Sequence, residues 1–160
     1  MACDMFIKID SMKAESKDKT HKDEIDVLSW SWGMSNSGSS HTGGGLGSGK
    51  VNVQDISFTK YIDKSSPDLM LACCNGKHIK EAKLTVRKAG EKPLEYLIIT
   101  MSDVLVTAVS TGGNGGEDRL TENVTLNFAV VKVEYAEQTA TGTAGDKPKM
   151  GWNIKENVKV

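Results

Sequence analysis

Apolar and polar residues alternate along most of the chain with the period of two expected of half-buried β-strands. Near the start, Met5, Ile7 and Ile9 share one face, and Asp4, Phe6, Lys8 and Asp10 the other. Leu28, Trp30, Trp32 and Met34 alternate with Ser29, Ser31 and Gly33. Val124, Leu126, Phe128 and Val130 alternate with Asn123, Thr125 and Asn127. The tail sets Met150, Trp152, Ile154, Val158 and Val160 against Gly151, Asn153, Lys155 and Lys159. The same patterning predicts strands over residues 51–62, 79–87, 94–101 and 104–109, with residues 89–93 (Ala-Gly-Glu-Lys-Pro) as a hairpin turn. The alternation slips phase at Val27/Leu28, between Val53 and Ile56, and at Val130/Val131. A one-residue slip carries the apolar set to the opposite face, so each slip predicts a bulge or a bend between sheets. Residues 65–76 read instead as a helix. Ser66 is its predicted N-cap, Pro67 sits at the first helical position, Asp68 complements the dipole, and Asn75-Gly76 is the stop. Leu69, Ala72 and Cys73 share its inward face. The predicted fold is all-β: a two-sheet β-barrel protomer with one short flanking α-helix.

Composition narrows the functional classes. A chain of 160 residues suits one domain spanning residues 1–160. Its 38% hydrophobic and 26% charged residues argue for a packed core rather than disorder. Lys plus Arg total 20 against 21 Asp plus Glu, so the basic excess of a nucleic-acid binder is missing. No apolar run approaches the ~20 residues of a membrane span. The first eight residues carry charge where a signal peptide needs an apolar stretch, which predicts synthesis in the cytoplasm without a leader and no membrane insertion. Cys3, Cys73 and Cys74 have no framework spacing and read as reduced thiols. A zinc site from Cys73, Cys74 and His78 lacks both the usual gap and a fourth ligand. No metal or cofactor is expected. Six of the 16 glycines fall in residues 36–49, so residues 36–50 form a Gly-rich loop, and four more lie in residues 112–116.

Few motifs point to chemistry. Gly44-Gly-Leu-Gly-Ser-Gly49-Lys50 has phosphate-loop spacing, but Val51 replaces the magnesium-binding hydroxyl and a strand follows where a helix N-terminus is needed. Ser57 and Lys60 match Ser-x-x-Lys, yet on a strand they fall on opposite faces, whereas that acyl-enzyme chemistry needs them one helical turn apart. His21, His41 and His78 read as surface histidines in loops or at a helix end. Asn123-Val-Thr125 is a glycosylation sequon by pattern only, inside a strand. Residues 13–24, with charges of both signs, read as a solvated connection. Asp118 and Arg119, after the second Gly-rich loop, form either a surface ion pair or a contact across a subunit boundary. No catalytic constellation emerges.

These segments closely resemble the Hcp (haemolysin-coregulated protein) family, the inner-tube proteins of bacterial type VI secretion systems. The matching stretches are residues 4–9, 24–34, 50–64, 82–88, 95–99, 117–128 and 151–154, in family order along nearly the whole chain. The departures lie in the Gly-rich loop, in Cys73-Cys74 and in residues 137–149. The resemblance implies a hexameric ring of β-barrels, stacked into a hollow tube inside a contractile sheath and capped by a VgrG spike. It also implies secretion to the extracellular space or a target cell, with small effector proteins carried and stabilised in the lumen, and no enzymatic activity. On that reading Ser29 and Ser31 face the lumen, Gly43, Gly44, Gly45, Leu46 and Gly47 form a ring-stacking loop, and Asp118 and Arg119 meet a neighbouring subunit. Two other classes stay open on the residues alone: a small cytosolic hydrolase using Ser57 or Cys73, and a monomeric β-barrel ligand-binding module.

Overall fold

A computed structural model describes residues 2–38, 50–90 and 92–160. In chain order the elements are β1 (Cys3–Ile9), β2 (Ile25–Ser31), β3 (Met34–Asn36), β4 (Val51–Val53), β5 (Ile56–Tyr61), α1 (Ser66–Asn75), β6 (Ile79–Lys88), β7 (Leu94–Thr111), β8 (Thr121–Tyr135), β9 (Lys149–Asn153) and β10 (Val158–Lys159). Strands β8-β5-β2-β1-β6-β7 pair antiparallel in that order, and β7 pairs again with β8, closing a six-stranded barrel. Strands β9 and β10 extend the sheet from the C-terminal half of β8. Strands β3 and β4 form a separate two-stranded ribbon. The core is filled by the inward sets that the alternation predicts, among them Ile7, Ile9, Phe58, Leu84, Met101, Val124 and Leu126.

The phase slips mark real changes of structure. The Val27/Leu28 slip is a register shift between Val27 and Ser29 in the β2–β5 ladder, and it leaves Leu28 40% exposed. The slip between Val53 and Ile56 splits the expected strand 51–62 into β4 and β5, which belong to different sheets. The Val130/Val131 slip takes burial from Phe128 to Val131 where β8 moves from pairing with β5 to pairing with β9. By contrast, the two expected strands 94–101 and 104–109 are one 18-residue strand, β7. Asp103 keeps it continuous by taking φ 54, a left-handed conformation that Asp tolerates better than most residues. Strands β6 and β7 form the expected hairpin around residues 89–93.

Four sequence expectations need correction. The N-cap of α1 is Ser65, not Ser66; Ser66 is buried and its hydroxyl is committed to the barrel. The helix stop is as expected, with Gly76 at φ 64 and its N–H donating to the Ala72 carbonyl. Residues 13–24 are not fully solvated: Ala14 (1% exposed), Ser16 and His21 are buried. This segment folds over the outer face of β1, which explains why Phe6, assigned to the solvent side, is buried too. The Phe6 and His21 rings stack 4.5 Å apart and 9° from parallel. His21 is therefore no surface histidine. Its Nδ1 lies 2.9 Å from Glu24 and its Nε2 2.7 Å from Glu95, clamping the segment to β7.

Candidate functional site: a polar sheet face with two open edges

Beyond the bulge, β2, β5, β8 and β7 form a four-stranded sheet whose outward row is almost entirely hydroxyl and amide. Ser29 pairs with Thr59, Thr59 with Asn123, and Asn123 with Ser110. The adjacent row runs Ser31, Ser57, Thr125 and Ala108. Pleating alone produces this face, because the alternate positions turn Ile56, Phe58, Val124 and Leu126 into the core. Trp30 and Trp32 also pack against the core, half-buried, and Trp32 Nε1–H donates to the Gln54 carbonyl at 2.8 Å.

Most of these polar groups satisfy one another. The Ser57 and Thr125 hydroxyls lie 3.1 Å apart, and Thr59 Oγ1–H donates to Asn123 Oδ1 at 2.6 Å. At one end of the face Asp55 accepts from Thr107 (3.1 Å) and Asn127 (2.8 Å). At the other end the Arg119 guanidinium lies 3.8 Å above the Tyr61 ring, so Arg119 stacks there, and both it and Asp118 are exposed. Ser29 and Ser31 are exposed, and their hydroxyls make no side-chain hydrogen bond among the described residues. The stacking-loop positions Gly43, Gly44, Gly45, Leu46 and Gly47, with His41 and the phosphate-loop look-alike up to Gly49, lie outside the described residues.

The sheet is also open on both sides. Strand β2 pairs with β1 only at Ile25 and Asp26, so residues 28–31 have β5 on one side and, among the described residues, no strand on the other. Strand β7 pairs with β6 only as far as Val104, so residues 105–111 have β8 on one side and, among the described residues, no strand on the other. Such edges carry unpaired N–H and C=O groups ready to take another chain.

The opposite side of the same sheet holds a buried polar cluster. Lys60, fully buried, pairs with the fully buried Glu122 directly across the β5–β8 ladder. Lys60 Nζ also lies 3.1 Å from Asp63 Oδ1 and donates to Ser66 Oγ at 3.1 Å. The Ser66 hydroxyl donates to Glu122 at 2.6 Å and accepts from the Asp63 N–H at 3.0 Å. The cluster ties the first turn of α1 to two barrel strands. Sequence reading missed it, although a signal was present: Lys60 shares the inward parity of Ile56 and Phe58, and Glu122 that of Val124 and Leu126. Ser57 and Lys60 do lie on opposite faces, so the pair that a serine hydrolase would need is separated by the sheet.

A second cluster anchors residues 13–24. Arg87 donates to Asp18 at 2.6 and 3.1 Å, to Asp4 at 3.1 Å and to Thr20 at 3.2 Å, with its guanidinium 5.1 Å from the Phe6 ring centre. The Arg87 hydrogen bonds hold the Asp18 carboxyl far below the ordinary carboxylate range, and the same bonds raise Arg87. Among the described residues no group of three or more His, Cys, Asp or Glu side chains is placed to hold a metal ion, and the three cysteines are free. Among them, too, no helix is long and apolar enough to cross a membrane.

The closed barrel with its flanking helix is shared with solved type VI secretion proteins. The family model described as "Type VI secretion system effector, Hcp" matches residues 6–135. The chain belongs to the Hcp family, whose members are secreted structural components of the type VI tube and not enzymes. It is 69% identical to "Protein hcp1" of Pseudomonas aeruginosa over 161 residues, covering 99% of each chain. Among solved structures it resembles the "crystal structure of Hcp1 from Salmonella typhimurium", with 43% identity, a TM-score of 0.84 and 100% of each chain covered. It also resembles the "Structure of a type six secretion system protein", with 31% identity, a TM-score of 0.93 and 99% and 100% coverage.

Proposed function

We propose that six copies close into a ring by joining the open β7 edge of one protomer to the open β2 edge of the next. The polar faces then merge into a continuous lining of the lumen. The observation that carries this reading is the four-stranded sheet whose two edges have no strand partner among the described residues. Its strands alternate in direction, so β2 and β7 run oppositely, and a head-to-tail contact between copies is antiparallel at every joint. A heterologous contact of that kind generates a ring when its rotation closes. On this reading the exposed Asp118 and Arg119, in the connection between β7 and β8, meet a neighbouring subunit. Rings then stack through the Gly-rich loop into a tube within the contractile sheath, under a VgrG spike, and effector proteins travel inside.

The lining suits passengers that must be held and then released. Its hydroxyls and amides are mostly spent on one another, which leaves Ser29 and Ser31 as free partners for cargo. Native mass measurement of the purified protein at micromolar concentration and moderate salt tests the ring: six protomers are expected, and a strictly monomeric mass overturns it. Ser31→Gln is expected to leave the ring intact while weakening effector loading and export. Rings of that variant that load and export every cargo normally, or labelling that reaches Ser31→Cys only from outside the ring, would remove Ser31 from the lumen.

A further inference from the structure

We infer that Asn114 is a site of spontaneous deamidation, a slow covalent modification that adds one negative charge to each protomer in the connection between β7 and β8. The chain contains two Asn-Gly pairs, Asn75-Gly76 and Asn114-Gly115, and the fold treats them oppositely. In the reaction the backbone nitrogen after the asparagine loses its proton and bonds to the side-chain carbonyl carbon. The carboxamide C–N bond breaks, ammonia leaves, and a five-membered succinimide remains. Water then opens the succinimide to aspartate or isoaspartate. The nucleophile is thus the following N–H, which must be free, and the backbone must be able to turn onto the side chain.

At Asn75 both requirements fail. The Gly76 N–H donates to the Ala72 carbonyl as the last bond of α1, and Gly76 is held at φ 64. The Lys77 N–H donates to Asn75 Oδ1 at 2.9 Å, a contact that the Gly116 N–H also makes to Asn114 Oδ1, so the two sites differ in the engaged Gly76 N–H and its backbone and not in this side-chain bond. At Asn114 both are met. Among the described residues the Gly115 N–H has no hydrogen-bond partner, and a Cβ built on Gly115 would meet nothing within 4 Å. The neighbouring residues, Gly113 and Gly116, carry no Cβ to restrict the backbone torsions that the closure needs.

The loop geometry also favours the chemistry. The Gly116 N–H donates to Asn114 Oδ1 at 2.9 Å, drawing electron density from the carbon under attack and stabilising the oxyanion that forms there. Asn114 Nδ2, the leaving nitrogen, donates to Glu117 Oε1 at 3.1 Å. Once the amide becomes a carboxylate that donor is gone, and a second negative charge faces Glu117 with Asp118 beside it. The modification therefore opens the contact between Asn114 and Glu117 at the base of β8.

The test compares the two asparagines within one protein. The purified protein is incubated at mildly alkaline pH and 37 °C, and peptides are followed by mass spectrometry for the gain of one mass unit, or three in water enriched in oxygen-18. In the folded protein Asn114 is expected to convert at least about tenfold faster than Asn75, because Asn75 must wait for local opening of the helix end. In urea-unfolded chain the two rates are expected to converge to within about twofold, since only the sequence then acts. Gly115→Ala is expected to slow conversion at Asn114 and leave Asn75 unchanged. Equal rates in the folded protein, faster conversion at Asn75, or a tenfold ratio that persists in urea would each overturn the inference.

Discussion

Lys60→Met is expected to destabilise the protein by about 3–5 kcal/mol, because it strands Glu122 as a buried carboxylate without its cation. Both side chains have no solvent exposure, and Lys60 also holds Asp63 and Ser66. The loss includes the tie between the barrel and α1, not only one ion pair. Replacing both partners, Lys60→Met with Glu122→Leu, is expected to recover most of the loss, since an apolar pair of similar volume carries no desolvation penalty. Urea unfolding followed by tryptophan fluorescence, at one fixed protein concentration, measures both variants. A single-variant loss below about 1 kcal/mol, or a double variant no better than the single, would mean that the cluster does not tie α1 to the barrel.

Arg87→Met is expected to cost about 2–3 kcal/mol at neutral pH by removing the charged hydrogen bonds to Asp18 and Asp4. The pH dependence gives a sharper signature. The folded Asp18 carboxyl titrates far below its unfolded value of about 3.9, so its contribution is whole above about pH 4 and declines as the pH falls below that. In Arg87→Met the largest cause of the depression is gone while the Thr20 hydrogen bonds remain, so the part of the acid-side loss due to Asp18 is expected to shrink. The two stability profiles should therefore converge as the pH drops from about 4 towards 2. Parallel profiles through that range would show that Arg87 does not control Asp18.

The barrel was legible in the sequence because half-buried strands write their faces directly into alternating residues. Even the slips at Val27/Leu28 and between Val53 and Ile56 were readable as bulge and sheet change. What alternation cannot show is which outward face is later covered by another segment. Phe6 sits at a polar parity, and only the fold of residues 13–24 over β1 explains its burial. The same limit hid His21, whose partners Glu24 and Glu95 include one 74 residues away. The N-cap differs by one residue because Ser65 and Ser66 are equally suited by type, and Glu122, distant in sequence, takes the Ser66 hydroxyl. For the polar sheet face, alternation with Trp30 and Trp32 sets Ser29 and Ser31 outward. Its open edges could not be read, because they depend on where β1 and β6 stop pairing with their neighbours.

The bulge between Val27 and Ser29 also governs how this lineage can change its length. Strand β2 obeys one parity before the bulge and the other after it. Losing or gaining one residue between the bulge and Trp32 would exchange the two rows, turning indoles outward and hydroxyls into the core. Single-residue insertions and deletions in this stretch should therefore be purged by selection, whereas substitutions that preserve size and polarity on each row can accumulate. The segment would drift in composition while its residue count stays frozen, which makes it a fixed ruler for aligning distant descendants of the chain.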